Sequence, residues 1–514
     1  MKRIYSLLIA VLVLLSLTVP ARAEVNQSLA EDLVKGVREN ETVDVSGYYL
    51  STWTFSRAFD EIYYSGLLPW YAEGSYSYSY NETGMVQSVT VEQLDENQYD
   101  RGLYERYLAE LINEACLPGM SDWQKVLSVH DYIVLHTVYD ESLALKTGYD
   151  ALVNGSTVCS GYTALFMDVM NRLGIPCQSV VAEDTGDGEG HSWNVVQLDG
   201  QWYHVDLTWD DPTRDTYGYS NHVYFLKTDG EFWLGQEDYE AHDFYWECYV
   251  DVAEEPYSAD DFLADVNSPV CFVDTEHVIF RRNGDYSNSV VSRDLTTGEE
   301  TTLYSFDKKA MDLGEGQYLY PTCGLNFWNG RVYFNREHEI LSMLPDGSDV
   351  QVVYTYESDT QYVYGAMVDD GVLYMTLCDW QFEKTPMEVA LDGMEYHSHT
   401  YAQRIEPSTC QQEGCLEWIC ECGVFYIEKM LPLAQHQLIE TVEQKATLFR
   451  EGVTWYHCGD CEYEYYEFPS VLPNLNIDFS SGPWSGIGRA ALVIGVVFIL
   501  RVIRILLRSL FRKR

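Results

Sequence analysis

The sequence predicts a multidomain chain: an α+β core, then an all-β region, then small cysteine-bearing repeats and a C-terminal membrane helix. Three observations predict it. An amphipathic helical run after Cys159 is followed by two strand-like runs flanking Asp199-Gly200. From about 265 to 400, short apolar strands recur beside turn residues every 40 to 55 residues or so. Residues 408–470 repeat at an offset of 38, and 487–507 are largely apolar.

Residues 1–23 have the layout of a secretion signal, with Lys2 and Arg3 before an apolar core and Ala21-Arg-Ala23 as cleavage site. Residues 24–120 form an α+β lead-in. Helices are expected over 29–37, 56–64 and 99–116, with a hairpin around Asn81-Glu-Thr-Gly84. The tyrosines of Tyr76-Ser-Tyr-Ser-Tyr80 alternate, so one face of that strand is aromatic; packing on a helix and stacking on sugar are both open. Ser121-Asp-Trp then caps a helix running to about residue 137.

The core, residues 121–250, centres on Cys159. Tyr162, Leu165, Phe166, Val169, Met170 and Leu173 follow at helical spacing, and Gly174 and Pro176 end the run. Cys159 thus starts a helix, where the macrodipole favours a thiolate; a buried structural cysteine would fit the same place. A two-residue turn at Asp199-Gly200 pairs 198 with 201, sets Trp193 opposite Asp206 and makes His191 the diagonal neighbour of Asp206. Such a pair can hydrogen-bond and stabilise an imidazolium. His204 shares a strand face with Asp206 and is the rival base. His191 is preferred because it begins its strand, at the sheet end that a helix N-terminus can approach.

The runs Val158-Cys-Ser-Gly-Tyr162, His191-Ser-Trp-Asn194 and Trp202-Tyr-His-Val-Asp206-Leu-Thr-Trp-Asp-Asp-Pro212 closely resemble bacterial extracellular transglutaminase-like domains. The resemblance extends to Ser128-Val-His-Asp-Tyr-Ile133, Val138-Tyr-Asp140 and Tyr224-Phe-Leu226, covering roughly 95–230. It implies a papain-like fold, with Cys159 as nucleophile, His191 as general base and acid, and Asp206 as orienter. Peptidases, amide-transfer enzymes and inactive scaffolds all share these motifs, and none needs a cofactor for catalysis.

Residues 265–400 resemble propeller-type surface repeats more weakly, since about three blades fit and closed propellers have four to eight; a sandwich is equally open. In 408–470, Thr409, Glu413, Gly414, Trp418 and Cys420 align with Thr447, Glu451, Gly452, Tyr456 and Cys458. Cys420, Cys422, Cys458 and Cys461 can supply four thiolates to a structural zinc. A site of Cys410, Cys420, Cys422 and His436 is the alternative, as are disulfides. The 13 cysteines leave twelve once Cys159 is set aside.

The net charge is -48, and residues 489–514 carry seven basic groups and no acid, so the rest carries 25 basic against 80 acidic groups, or -55. An acidic body of this kind excludes nucleic acid as partner. Residues 487–507 are expected to span a membrane, with a surface-lying amphipathic helix as the alternative, and 508–514 to form a basic cytoplasmic tail. The chain reads as a secreted, membrane-anchored surface protein performing thiol-dependent amide hydrolysis or transfer on extracellular peptide, protein or cell-wall substrates. The alternative is an inactive binding or wall-organising scaffold.

Overall fold

The computed structural model describes residues 27–467, apart from 183–189, 212–215, 235–245, 259–261, 264–265, 285–286, 308–310, 315–316, 320–323, 380, 382, 392–400, 410–413, 421–424, 432–436, 445–452, 460 and 462–463. The signal at 1–23, the membrane helix at 487–507 and the tail at 508–514 lie outside these residues. Among the described residues, no helix is long and apolar enough to cross a membrane. The chain divides into two compact units, 1–406 with 415–430 and 407–414 with 431–514.

The first unit opens with helix α1 (27–39), strand β1 (Val43–Asp44), helix α2 (Thr52–Tyr64) and the hairpin β2 (Ala72–Tyr80) and β3 (Val86–Gln93). Ser51 caps α2 by accepting from the Thr54 N–H. The sheet runs β1-β3-β2 and closes over a core of Leu29, Leu33, Phe55, Phe59, Val86 and Val89. Tyr76 packs on Phe55 and Phe59, with ring centroids 5.1 and 4.4 Å apart, which answers the aromatic strand face at its inner end. Tyr78 and Tyr80 continue the same ladder outward and are exposed.

Helices α3 (Arg101–Ala115) and α4 (Asp122–His136) follow, then the short parallel pair β4 (Val138–Tyr139) and β5 (Ser156–Thr157). A reciprocal capping box of Ser121 and Gln124 fixes the start of α4. Helix α5 (Cys159–Arg172) packs on β6 (Cys177–Ala182) and β7 (His191–Leu198), and β8 (Gln201–Val205) pairs with β7. Short helices α6 (Leu207–Asp210) and α7 (Asp229–Leu234) precede the edge strand β9 (Trp246–Glu247), giving an antiparallel sheet in the order β8-β7-β6-β9.

The apolar stripe of α5 faces this sheet, with Tyr162, Leu165, Phe166, Val169 and Met170 buried. Burying a side chain such as Phe166 stabilises the fold by about 1.5–3 kcal/mol. Asp199 and Gly200 both have positive φ, 51° and 80°, so the two-residue turn holds Leu198 opposite Gln201, the register the sequence predicts. The strand after it is Gln201–Val205 and stops short of Asp206, which the sequence places on the same strand face as His204. It ends at Val205 because Asp206 turns its carboxylate onto the Thr208 and Trp209 N–H groups and starts α6.

Antiparallel sheets whose strands pair in sequence order occupy 271–307, 325–355 and 361–390. Asn329-Gly330 and Asp370-Gly371 make two-residue turns within them. This region does not stand apart from the α+β core. Phe262, Val270, Phe272, Val278 and Phe280 are buried in one cluster with residues of α3, α4 and α5. Residues 415–420 and 453–458, related by the 38-residue offset, are each in the middle strand of a three-stranded sheet. In the second unit, the strand Val453–Cys458 pairs with Leu438–Gln444 on one side and Glu464–Glu467 on the other.

Candidate active site

Cys159 is the first residue of α5, and no side chain caps that helix start. The residue two places on must be glycine. A Cβ at Gly161 would lie 1.9 Å from Thr157 Oγ1 and 2.6 Å from the Thr147 carbonyl, so the loop before Cys159 lies directly against the first turn. Tyr162 then anchors that turn, its hydroxyl donating to Asp211 and lying 3.2 Å from the Thr137 carbonyl.

His191 opens β7 as expected, and its Nε2 lies 2.6 Å from Asp206 Oδ2. That leaves Nδ1 for the Cys159 thiol, and the two groups shift each other's titration. Asp206 is fully buried and uses its other oxygen, Oδ1, to accept from Thr208 N–H at 2.9 Å and Trp209 N–H at 3.1 Å. One carboxylate thus both orients the imidazole and caps the helix that holds it in place.

The electrostatics follow from this geometry. Burial alone would lower the His191 pKa, but the charge and hydrogen bond of Asp206, then the Cys159 thiol, raise it to about 10. Burial alone would raise the Cys159 pKa. The His191 ring, then the N–H and hydroxyl of Ser192, hold it below its ordinary value instead. The arrangement favours a thiolate–imidazolium pair with an oriented ring.

His204 does other work. Its Nδ1 accepts from Trp193 Nε1 at 2.9 Å, which requires the proton on Nε2, and Nε2 donates to Asp229 Oδ1 at 2.8 Å. Both nitrogens are engaged away from Cys159, so the rival base is a buried structural histidine.

Two residues of the site escape sequence reasoning. Trp209 stacks its ring on His191, 4.5 Å between centroids at 9°, which suits an imidazolium. Its spacing after Asp206 was visible, but only α6 turns it back over the histidine. Ser192, which helps hold the Cys159 pKa down, is visible in the sequence only as the neighbour of His191.

A second charged cluster lies behind the first. His130 Nδ1 sits 3.1 Å and His222 Nε2 2.9 Å from Asp131 Oδ1, and His130 Nε2 faces Asp210 Oδ2 at 3.3 Å. Among the described residues, His130, Asp131 and His222 are close enough together to hold a metal ion. The donor chemistry favours another account. His222 Nδ1 donates to the Val266 carbonyl and Nε2 to Asp131, so neither nitrogen offers a lone pair. Asp131 also accepts from Ser220 Oγ and the Val270 N–H. Burial would lower the His130 pKa, but Asp131 and Asp210 raise it to about 9; burial would raise Asp131, but His222 and His130 hold it well below the usual carboxylate range. We read the cluster as a buried ion network that fastens α4, α6 and the start of the β region.

Of the candidate zinc ligands, Cys422 lies outside the described residues, as do Cys410 and His436 of the alternative set. Cys420 ends the strand Gly414–Cys420, in the first unit. Cys458 ends the strand Val453–Cys458 and is buried; it and Cys461 belong to the second unit.

Comparison with known proteins finds relatives of this part of the chain. Residues 110–207 match the transglutaminase-like superfamily. The kyphoscoliosis peptidase of Mus musculus is 30% identical over 125 residues, 21% of this chain and 19% of its own length. The chain therefore spans about a fifth of that relative. Among solved structures, a TGase is 16% identical with a TM-score of 0.19, covering 26% of this chain and 44% of its own. A candidate cysteine protease from Cytophaga hutchinsonii is 15% identical with a TM-score of 0.18, covering 26% and 61%. The match over 110–207 spans both Cys159 and His191 and ends one residue past Asp206. This chain carries a transglutaminase-like domain.

Proposed function

We propose that the domain performs thiol-dependent acyl chemistry on amides, hydrolysing them or transferring the acyl group to an amine, with peptide or protein as substrate. The observation that carries this reading is the set of Cys159 at a helix start, His191, which helps hold that thiol's pKa down, and Asp206, 2.6 Å from His191 Nε2. The Cys159 thiolate attacks the amide carbonyl and forms the S–C bond. Imidazolium Nδ1 gives its proton to the leaving nitrogen as the C–N bond breaks, which leaves an acyl-enzyme and an amine. Water or a second amine then attacks the thioester, His191 takes its proton, and the S–C bond breaks. Asp206 keeps Nε2 protonated throughout and steadies the imidazolium. The mouse relative's name, a peptidase, favours hydrolysis over transfer.

The test is alkylation. Iodoacetamide at neutral pH should modify Cys159 far faster than a model thiol, and His191→Ala should slow it to the model rate or below. A Cys159 that is inert, or indifferent to the loss of His191, returns the domain to the scaffold reading.

The acidic body and basic end also support a location outside the cell with the chain anchored through 487–507. Protease added to intact cells should then remove the domains and spare the tail. Protection of the domains reverses the orientation.

A further inference from the structure

A cavity of about 150 Å³ runs along α5 from the nucleophile's end. Its floor is the helix face of Thr163, Met167 and Asp168, and Ser192 of β7 closes the sheet side. Ser160, the residue after the nucleophile, lines its near end. Thr163 Oγ1 donates to the Cys159 carbonyl at 2.9 Å while lying 3.3 Å from the Oγ of Ser192, the residue after His191. The opposite wall is Tyr63, Tyr64 and Trp70, which belong to the lead-in and precede the residues matched to the superfamily.

That wall is held in place. Ser179 Oγ donates to the Tyr64 carbonyl at 3.3 Å, and Trp70 Nε1 donates to Glu105 at 3.2 Å while its ring stacks 4.0 Å from that of Tyr104. Gly66, at φ +65°, sits so close to α5 that a Cβ there would lie 2.9 Å from Met167. The site is therefore preformed, as small-molecule subsites usually are.

Resting on the acyl-transfer reading, we propose that this cavity is a specificity subsite taking one aromatic side chain, of phenylalanine size, from the acyl-donor substrate. Three features select that occupant. A largely apolar cavity of this volume accommodates a benzene ring. Its aromatic wall offers ring faces and edges to a flat guest. Asp168 is the acid in the floor, and its oxygens already accept from Arg172 Nε at 3.1 Å and the Tyr104 hydroxyl at 3.1 Å, so a cationic side chain finds no open carboxylate.

The test uses two chloromethyl ketones, one built on phenylalanine and one on glycine, each rate divided by that with glutathione. In the reaction the Cys159 sulfur forms an S–C bond and chloride leaves. The wild-type chain should react with the phenylalanine probe faster by about tenfold or more. Ala164→Leu, which narrows the cavity, and Trp70→Ala, which removes its wall, should each collapse that ratio toward one. The ratio is read only from a folded, reactive domain, and two variants on opposite walls guard against one failing to fold. A wild-type chain that reacts equally with both probes, or a variant that keeps the full ratio, overturns the subsite and leaves the nucleophile standing. A wild-type Cys159 inert to iodoacetamide overturns the acyl-transfer reading and the subsite with it.

Discussion

Asp206 divides its two oxygens between His191 and the first turn of α6, so changing it has two separable costs. Asp206→Asn keeps an acceptor for the cap but removes the charge that favours the imidazolium. Alkylation of Cys159 at neutral pH should slow, though less than in His191→Ala, because the ring stays while its ion-pair strength falls. The pH profile carries the same sign. The thiolate fraction rises as pH climbs through the Cys159 pKa, and His191 holds that pKa down, so removing His191 should move the rise in alkylation rate to higher pH. Trp209→Leu should act more mildly. Loss of a stacked aromatic face costs an imidazolium about 0.5–2 kcal/mol, which lowers the His191 pKa by about 0.4–1.5 units, readable by NMR titration of that ring. The pairing of His191 with Asp206 was legible in advance because a two-residue turn fixes register by arithmetic. The cap was not, since the turn arithmetic places Asp206 on a strand and its competing preference for a helix start is local.

At the scale of elements, the Cys159 helix depends on the loop before it, and Gly161 is where the two meet. Gly161→Ala would drive a methyl into Thr157 and the Thr147 carbonyl. We expect a loss of about 1–3 kcal/mol in a denaturant titration, as for an overpacked core, together with slower alkylation as the helix start is displaced. The ion network behind α6 makes a second, pH-dependent contribution. The folded His130 pKa is raised to about 9 from an ordinary 6.5, so its stabilisation is complete below pH 6.5 and lost as pH rises through 9. Replacing His130 with Gln should therefore destabilise the chain most at pH 6 and progressively less toward pH 9. A stability difference between the two chains that stays constant over that range would assign His130 a packing role only. This network was illegible in the sequence for a plain reason. His130-Asp131 read as part of the helix running to about residue 137 and of the motif at 128–133, and its partners Asp210, His222 and Val270 lie up to 139 positions away with no periodicity connecting them.

For the whole first unit, the largest departure from what the sequence suggested is that the β-rich region is not a separately packed appendage. Composition and turn spacing change sharply near residue 265, and those signals report local structure, not which faces end up covered. Phe262, Val270, Phe272 and Phe280 lie in the same buried cluster as Leu108, Trp123, Val126 and Phe166. The seam is polar as well as apolar. Asp131 accepts from the Val270 N–H at 2.7 Å, Gln124 donates to the Thr275 carbonyl at 2.6 Å, and His136 stands 3.7 Å from Asp369. A chain ended after residue 255 would leave Asp131 short of a donor and bare the apolar faces that Val270 and Phe280 cover. Each buried aromatic or aliphatic side chain withdrawn in this way costs about 1.5–3 kcal/mol, and a domain's whole stability is only about 5–15 kcal/mol. We therefore expect residues 24–255 alone to be unfolded or aggregated. Residues 24–406 should unfold in one transition, with near-ultraviolet circular dichroism and Cys159 alkylation changing together on heating. A shortened chain that keeps rapid alkylation and a sharp melt would show that the α+β core folds without its β neighbour, and that the shared cluster is a docking surface laid over a finished domain.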